Sequence, residues 1–209
     1  MAVTPFDSAI WRDIYGDAEI GALFTDSAEV RAMLLFEGAL ARVQGRLGMI
    51  PETSAAAISR ASETVMIDPG GLAAGTAAAG VSAPALVEAF RAAMEAPEHA
   101  AHIHHGATSQ DVVDTGLVLR LRRALDIIDG RLEALIDTLG EKAAAHAETT
   151  MAARTRSQIA TPTTLGAKIA GWRAGLIRCR ERIEQARPRV LRVSLAGASG
   201  TLAAMGEAG

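Results

Sequence analysis

The sequence predicts an all-α protein. Apolar residues recur three and four positions apart throughout 109–149, which predicts one long helix of about 60 Å at 1.5 Å per residue. Aromatic residues make up only 3% of the chain and alanine is abundant, a composition typical of closely packed helices. Valine, isoleucine and threonine nowhere cluster in a period-two alternation, so no sheet is expected.

The first half of the chain is predicted to be an irregular arm followed by short helices. Residues 1–24 mix glycine, proline and acids and form the arm. Thr25 and Ser82 offer N-cap oxygens, whereas Gly48 and Pro97 are expected to end helices. The helices expected in this half span 28–47, 51–65, 68–79 and 82–97.

The second half is predicted to hold two long helices joined by a polar loop. The first contains several glycines, and a break near Gly140 is possible. Residues 150–161 are polar and are expected to form a loop. Pro162 suits the first position of the second helix, which is expected to end near Arg187 because Pro188 follows it.

These elements suggest a small N-terminal helical domain, 1–108, and the first part of a central helical bundle domain, 109–209. Two long helices cannot bury all their apolar faces against each other. The chain also stops inside a glycine-rich segment. Both points lead us to expect further chain, other subunits, or both.

Composition excludes several classes of protein. The chain has 209 residues and a net charge of −3, which argues against a nucleic-acid binder. A single cysteine excludes an intrachain disulfide framework. The N-terminus lacks the basic and apolar regions of a signal peptide, and no apolar run approaches the roughly 20 residues of a membrane span. We therefore expect a cytoplasmic protein without a membrane partner.

The segment HIHHGATSQD, residues 102–111, is the strongest candidate for chemistry because a long helix follows it directly. Thr108 with Asp111 resembles a helix capping box in which aspartate replaces glutamate. Thr108 and Ser109 also suit an anion site, because the first amides of a helix have no intrahelical partner. Asp111 competes for those same amides, so the capping and anion-binding interpretations partly conflict.

The three histidines of this segment have a structural and a functional interpretation. His102 and His104 alternate with Ile103, so an extended loop would direct both to one side. Solvated or structural histidines are the commoner case, and imidazoles beside an anion site are the functional one. A zinc site is not expected, because no second cluster of ligands follows.

A second polar stretch contains Arg154, Arg156 and Gln158, whose alternate spacing would direct all three side chains one way. They are either ordinary surface residues or residues that bind a carboxylate. Arginine suits the second role because its guanidinium can donate two parallel hydrogen bonds to a carboxylate.

The motifs together resemble the fumarase/aspartase superfamily, whose members share a mostly helical fold. HHGATSQDVVDT resembles its first signature, ARTRSQIATPTTLGAKIAGW its second, and LAGASGTLAAMG its glycine-rich segment. The resemblance covers nearly the whole chain. It implies a homotetramer with a central helical bundle, active sites composed of loops from three subunits, and no metal or organic cofactor. It also implies a serine-bearing mobile loop after Gly209.

Within the superfamily the combination of motifs is most similar to the lactonising cycloisomerases of protocatechuate breakdown. The resemblance implies that a carboxylate of a small tricarboxylate adds to a double bond of the same molecule. It further implies that Thr108 and Ser109 bind one substrate carboxylate, and that Gln158 and Thr161 bind another from a different subunit.

Two catalytic candidates follow from the resemblance. His104 matches a family active-site histidine and is expected to orient the substrate or stabilise charge. Many lyases of the superfamily read Arg-Thr-His where this chain reads Arg154-Thr155-Arg156. Arginine is no ordinary acid at neutral pH, so Arg156 is a candidate electrostatic clamp for a highly anionic substrate. The alternatives are another superfamily lyase, such as an adenylosuccinate lyase, and a non-catalytic helical assembly subunit.

Overall fold

A computed structural model describes residues 4–208, which form helices and one β-hairpin. The helices are α1 (Arg12–Tyr15), α2 (Ala18–Ala22), α3 (Asp26–Arg46), α4 (Glu52–Thr64), α5 (Ala73–Ala79), α6 (Ala83–Ala93), α7 (Pro97–Ala100), α8 (Ser109–Ala145) and α9 (Leu165–Val190). The hairpin consists of β1 (Thr150–Thr155) and β2 (Gln158–Thr164), and 3-10 helices span Pro69–Leu72 and Ala203–Ala208. The predicted all-α class is confirmed, and the hairpin is a local departure from it.

Helix α3 begins and ends as its sequence predicts. The Thr25 hydroxyl accepts a hydrogen bond from the Ala28 amide at 3.2 Å, which satisfies one of the first-turn donors. Gly48, just beyond the helix, has a φ of +69°, a left-handed conformation that favours glycine.

The N-terminal arm is more ordered than its composition predicts. Residues 1–3 of the arm lie outside the described residues, but 4–24 contain α1 and α2. The Asp17 carboxylate accepts hydrogen bonds from the amides of Glu19 and Ile20 and so caps α2.

The expectations for Ser82 and Pro97 were wrong in detail. Ser82 precedes α6 but makes no capping hydrogen bond, and its hydroxyl donates to the Met33 sulfur. Helix α6 ends at Ala93, before Pro97, and Pro97 begins α7 rather than ending α6. Proline suits a first helical position, where its missing amide hydrogen has no intrahelical acceptor.

The chain divides into two compact units. One comprises Met1–Arg123 with Leu191–Gly209, and the other comprises Ala124–Val190. The domain boundary expected between residues 108 and 109 stays a prediction. None of the helices within residues 4–208 is long and apolar enough to cross a membrane.

The first unit is built on the antiparallel pair α3 and α4. A side chain at Gly38 would meet Ser62, and one at Gly45 would meet Ala55. Because these contacts run in opposite directions along the two helices, the glycines allow the backbones to approach closely. The core beside this pair is made of large apolar side chains from α3, α4, α6, α8 and the motif loop, which is the segment 102–108 before α8: Met33, Leu34, Ile58, Leu86, Phe90, Ile103 and Val112.

In the second unit, the helices differ from the sequence prediction in three respects. Helix α8 runs through Gly140 without a break, and α9 continues past Pro188 to Val190. Pro162 lies in β2, so α9 begins three residues later than predicted. Arg180 binds Asp129 through two nitrogens, with a shortest distance of 2.7 Å, and joins the facing surfaces of α8 and α9.

Asp111, in the first turn of α8, fastens the glycine-rich segment to the helix start. Its carboxylate accepts hydrogen bonds from the amides of Ala196 at 2.9 Å and Gly197 at 3.0 Å. It also accepts the Thr108 amide at 3.0 Å and the Ser194 hydroxyl at 3.4 Å. The capping interaction predicted from Thr108 and Asp111 is thus one part of a larger anchor.

These hydrogen bonds set the ionisation of Asp111. Burial raises the pKa of its carboxyl group, but the donors from the backbone and from Ser194 outweigh burial and hold the pKa below its ordinary value of 3.8. A carboxyl group whose pKa is lower in the folded state stabilises the fold above its unfolded pKa. That stabilisation is lost as the pH falls through the folded pKa.

We expect Asp111→Asn to lower the free energy of unfolding near pH 7 by about 2–3 kcal/mol, because the amide loses the charge and directs its own N–H groups at other donors. Below about pH 4 the difference from wild type should shrink as the pH falls toward the lowered pKa of folded Asp111, since the stabilisation by its charge is lost over that range. Urea unfolding at fixed protein concentration measures both effects. Asp114→Asn, which alters an exposed hydrogen bond on the same helix, is the control. Equal effects of the two variants would contradict the anchor.

We expect Gly38→Ala to destabilise the fold by about 1–3 kcal/mol, even though alanine favours helices, because the new methyl group displaces the Ser62 hydroxyl. That hydroxyl donates to the Ser59 carbonyl at 2.8 Å, so this bond is disturbed too. Gly21→Ala, where a methyl group meets no atom within 4 Å, should be neutral or stabilising by up to about 1 kcal/mol. Thermal unfolding of both variants tests the close approach of α3 and α4, and a neutral Gly38→Ala would contradict it.

Candidate active site

The histidine-containing segment before α8, the first sequence motif, forms a series of tight turns instead of the extended loop predicted for it. The amides of His102 and Ile103 donate to carbonyls three residues earlier, and Ile103 is buried. His104 has a φ of +66°, a left-handed conformation uncommon for a non-glycine residue. The extended loop was therefore wrong, and with it the alternation from which a same-side arrangement of His102 and His104 was expected.

Two side chains from other helices hold this loop, the buried Gln44 and the exposed Arg91. The Gln44 amide nitrogen on α3 donates to the His105 carbonyl at 2.7 Å. The Arg91 guanidinium on α6 donates to the Ile103 carbonyl at 2.9 Å. Backbone carbonyls in a turn have no ladder partner, so these donors satisfy them and fix the loop.

The His104 ring is oriented by a buried acid. Its Nδ1 atom lies 2.7 Å from Oε1 of Glu37, whose side chain is 0% exposed. The ring itself is partly exposed and lines a cavity of about 530 Å³, together with Ser109 and residues of α6. The α6 residues of this wall are Pro84, Val87, Glu88 and Arg91. A cavity of this size suits a small ligand.

Ser109 brings the start of α8 to the same cavity. The first amides of a helix have no intrahelical acceptor and attract anions. Asp111 takes the Thr108 amide, but its other partners lie in the glycine-rich segment. The expected competition between Asp111 and a bound anion therefore falls on one amide, that of Thr108.

The glycine-rich segment packs against the first motif. A side chain at Gly106 would meet Met205, and one at Gly197 would approach the Gly106 carbonyl at 3.2 Å. Both glycines also have positive φ, so a larger residue at either position would be strained. The hydroxyl groups of Ser199 and Thr201 form a hydrogen bond of 3.0 Å within this segment. The first sequence motif and the glycine-rich segment are thus packed closely together.

The second polar stretch, which contains Arg154, Arg156 and Gln158 and was expected to be a loop, forms most of the hairpin. Arg156 and Ser157 make its two-residue turn, and both have positive φ, as type I′ hairpin turns require. Asparagine and glycine usually occupy such turns, so this backbone carries strain of the kind found at functional sites. Arg156 is exposed at the tip and has no hydrogen bond or ion pair with any residue of 4–208. The predicted alignment of Arg154 and Arg156 along one strand was wrong because the turn intervenes.

Gln158 and Thr161 lie on β2. Gln158 pairs with Thr155 next to the turn. Between the pairs Ala152–Pro162 and Arg154–Ile159 the register shifts, so β2 has one extra residue at Ala160 and Thr161. Such a bulge redirects side chains and is frequent beside active sites.

The candidate residues therefore fall into two groups. His104, Thr108 and Ser109 lie in the first unit, whereas Arg156, Gln158 and Thr161 lie in the second. Their roles in binding or catalysis stay predictions. Among residues 4–208, no three His, Cys, Asp or Glu side chains are grouped to hold a metal ion.

The sequence motifs did not indicate Glu37, which contacts His104, or Arg91, which lines the cavity. Glu37 interrupts the apolar run MLLFEGALA, and a charged residue on the buried face of a helix is a signal for a buried partner. Arg91 gives no such signal, because a basic residue in the last turn of a helix is common.

Comparisons with known proteins identify relatives along nearly the whole chain. The 3-carboxy-cis,cis-muconate cycloisomerase of Pseudomonas aeruginosa is 46% identical over 192 residues, which are 91% of this chain and 42% of the relative. The adenylosuccinate lyase of Methanocaldococcus jannaschii is 36% identical over 100% of this chain and 44% of the relative. This chain therefore spans less than half the length of these relatives.

A solved structure gives the same picture. The crystal structure of the 3-carboxy-cis,cis-muconate lactonizing enzyme from Pseudomonas putida superposes with a TM-score of 0.90 at 43% identity, covering 95% of this chain and 46% of that chain. The model of the lyase family matches residues 17–208. Because this match takes in both candidate loops and the glycine-rich segment, the chain belongs to the lyase family, as its fumarase/aspartase-like motifs predicted.

Proposed function

We propose that the whole protein is a cycloisomerase that converts 3-carboxy-cis,cis-muconate to 4-carboxymuconolactone in protocatechuate breakdown, in the cytoplasm. The observation that carries the proposal is the 46% identity to a 3-carboxy-cis,cis-muconate cycloisomerase over 91% of this chain. The proposal includes neither a nucleic-acid nor a membrane partner, and it requires no cofactor.

The cavity in the first unit is suited to one end of such a substrate. Arg91 and His104 supply cationic or hydrogen-bonding groups, and Ser109 adds the start of α8. We propose that Thr108 and Ser109 bind a substrate carboxylate there, because hydroxyls and free amides at a helix start favour anions. His104 then orients the substrate and stabilises charge.

The reaction closes a lactone ring within one molecule. One carboxylate oxygen bonds to a carbon of a conjugated double bond, and a proton adds to the neighbouring carbon. Negative charge accumulates on the adjacent carboxylate before the proton arrives. The site must therefore hold the attacking oxygen near its carbon and stabilise the enolate-like charge.

The hairpin supplies the second set of candidates. We propose that Gln158 and Thr161 bind a further carboxylate and that Arg156 clamps the developing charge, with these residues contributed by another subunit of a homotetramer. Arg156 is exposed at a strained turn and has no partner in the described part of the chain, which suits a residue that binds a ligand. Leu135 on α8 and Trp172 on α9 are about half exposed, as expected of helices that pack against other subunits.

The second candidate is a different lyase of the family. The adenylosuccinate lyase relative at 36% identity favours it, but the lower identity and the arginine at position 156 do not. A non-catalytic assembly subunit is the third candidate. A non-catalytic role does not account for the cavity at His104 or for the strained backbone at Arg156.

We expect full-length protein to remove the ultraviolet absorbance of the conjugated diene when given 3-carboxy-cis,cis-muconate, because ring closure breaks the conjugation. Adenylosuccinate is the comparison substrate, with fumarate release as its readout. Fumarate release without any change in the muconate absorbance would assign the protein to the second candidate. Inactivity toward both substrates would favour the third.

We expect Arg156→Ala to lower kcat by about a hundredfold with little change in KM, because the clamp acts mainly on charge that develops in the transition state. Arg156→Lys should recover only part of the activity, since lysine keeps the charge but loses the planar fork. Arg60→Ala, which removes an equal charge from the exposed surface of α4, is the control. An unchanged kcat in Arg156→Ala would remove this residue from the mechanism.

A further inference from the structure

Glu37 is a buried acid that the reaction described above does not use. It lies in the middle of α3, beside the core residues Phe36 and Leu40, and its side chain is 0% exposed. Oε1 contacts His104, and the buried Oε2 atom has no hydrogen-bond partner among residues 4–208. Burying a carboxylate is costly unless it is paired, so a purely structural role would be served better by an apolar residue.

The contact determines which way the His104 ring faces. An ionised carboxylate can only accept hydrogen bonds, so an ionised Glu37 requires a proton on Nδ1, which lies 2.7 Å away. The two ring nitrogens direct their bonds in roughly opposite directions, so Nε2 faces away from Glu37. The ring lines the cavity, and Nε2 has no hydrogen-bond or ion-pair partner within residues 4–208.

The backbone at this loop is arranged to keep the contact. His104 adopts a φ of +66°, a left-handed conformation that is unfavourable for a non-glycine residue. Gln44 lies seven residues after Glu37 on the same buried face of α3, and it holds the next residue of the loop through the His105 carbonyl. Helix α3 thus contacts the loop twice, once through the imidazole and once through the backbone.

We propose that Glu37 is a positioning residue that fixes the proton on Nδ1 of His104 and directs Nε2 into the cavity to bind a substrate carboxylate. When Nε2 gains a proton from water, the ring carries a positive charge between the buried carboxylate and the anionic substrate. Arg91 and Glu88 are the other charged groups that line this cavity, so they share its electrostatics. The binding role rests on the function proposed above, whereas the proton position does not.

The proton position can be measured without any substrate. Ring ¹⁵N chemical shifts of full-length protein labelled with ¹⁵N-histidine report which nitrogen carries the proton, and His104→Gln assigns the signals. We expect Nδ1 of His104 to be protonated wherever the wild-type protein is folded. Glu37→Gln keeps an acceptor of the same shape and should preserve this form, whereas Glu37→Leu should release it.

Gln44→Leu is the matched control, because it removes the other buried contact between α3 and the loop without touching the ring. It should lower stability and leave Nδ1 of His104 protonated. An unprotonated Nδ1 in the wild type would overturn the proposal, since Glu37 would then be the donor. Ring shifts that are the same in folded Glu37→Leu and in wild type would also overturn it.

Kinetics then separate positioning from a merely structural role. We expect Glu37→Gln to lower kcat about 10- to 100-fold with little change in KM, because a neutral amide does not compensate the imidazolium charge. In a His104→Gln background the same change should cost almost nothing, since Glu37 acts through that ring. If kcat of the double variant falls by the product of the two single losses, the proposal is overturned. If wild-type protein does not convert 3-carboxy-cis,cis-muconate, the proposed function fails, and the ring measurement still decides the role of Glu37.

Discussion

The arrangement of the first unit depends on the carboxylate of Asp111. It gathers the helix start at Thr108 and the backbone amides of Ala196 and Gly197 around one negative charge. Residues 191–209 return to the first unit across an intervening stretch of 67 residues, Ala124–Val190. Loop closure over such a distance is entropically costly, so specific bonds at the point of return are needed to hold it. The charge supplies them because hydrogen bonds to an ionised acceptor are about twice as strong as neutral ones.

The candidate site is built around that anchor from rigid parts. Helix α3 presents Glu37 and Gln44 to the motif loop, and α6 presents Arg91 to the same loop. The loop therefore has little freedom, although it contains a left-handed histidine. A site held from several helices keeps its side chains within the narrow tolerances that binding and catalysis require.

The sequence predicts the helical class and the motif positions well, because helical periodicity and capping are local signals. Thr25, Gly48 and the long helix after Ser109 are examples. The hairpin was missed because its strands alternate weakly and Arg-Ser is an unusual type I′ turn. The partners of Asp111 and Glu37 were also beyond reach, since they lie 86 and 67 residues away and no local pattern encodes such pairings.

Hydrogen exchange at the single amides of Ala196 and Gly197 tests the anchor most directly. Both lie outside any helix or strand, so without the Asp111 carboxylate they would exchange at rates close to those of an unfolded chain. We expect protection comparable to that of core amides in α3 when the full-length protein is measured near pH 7. Rapid exchange at both amides while α3 stays protected would contradict it.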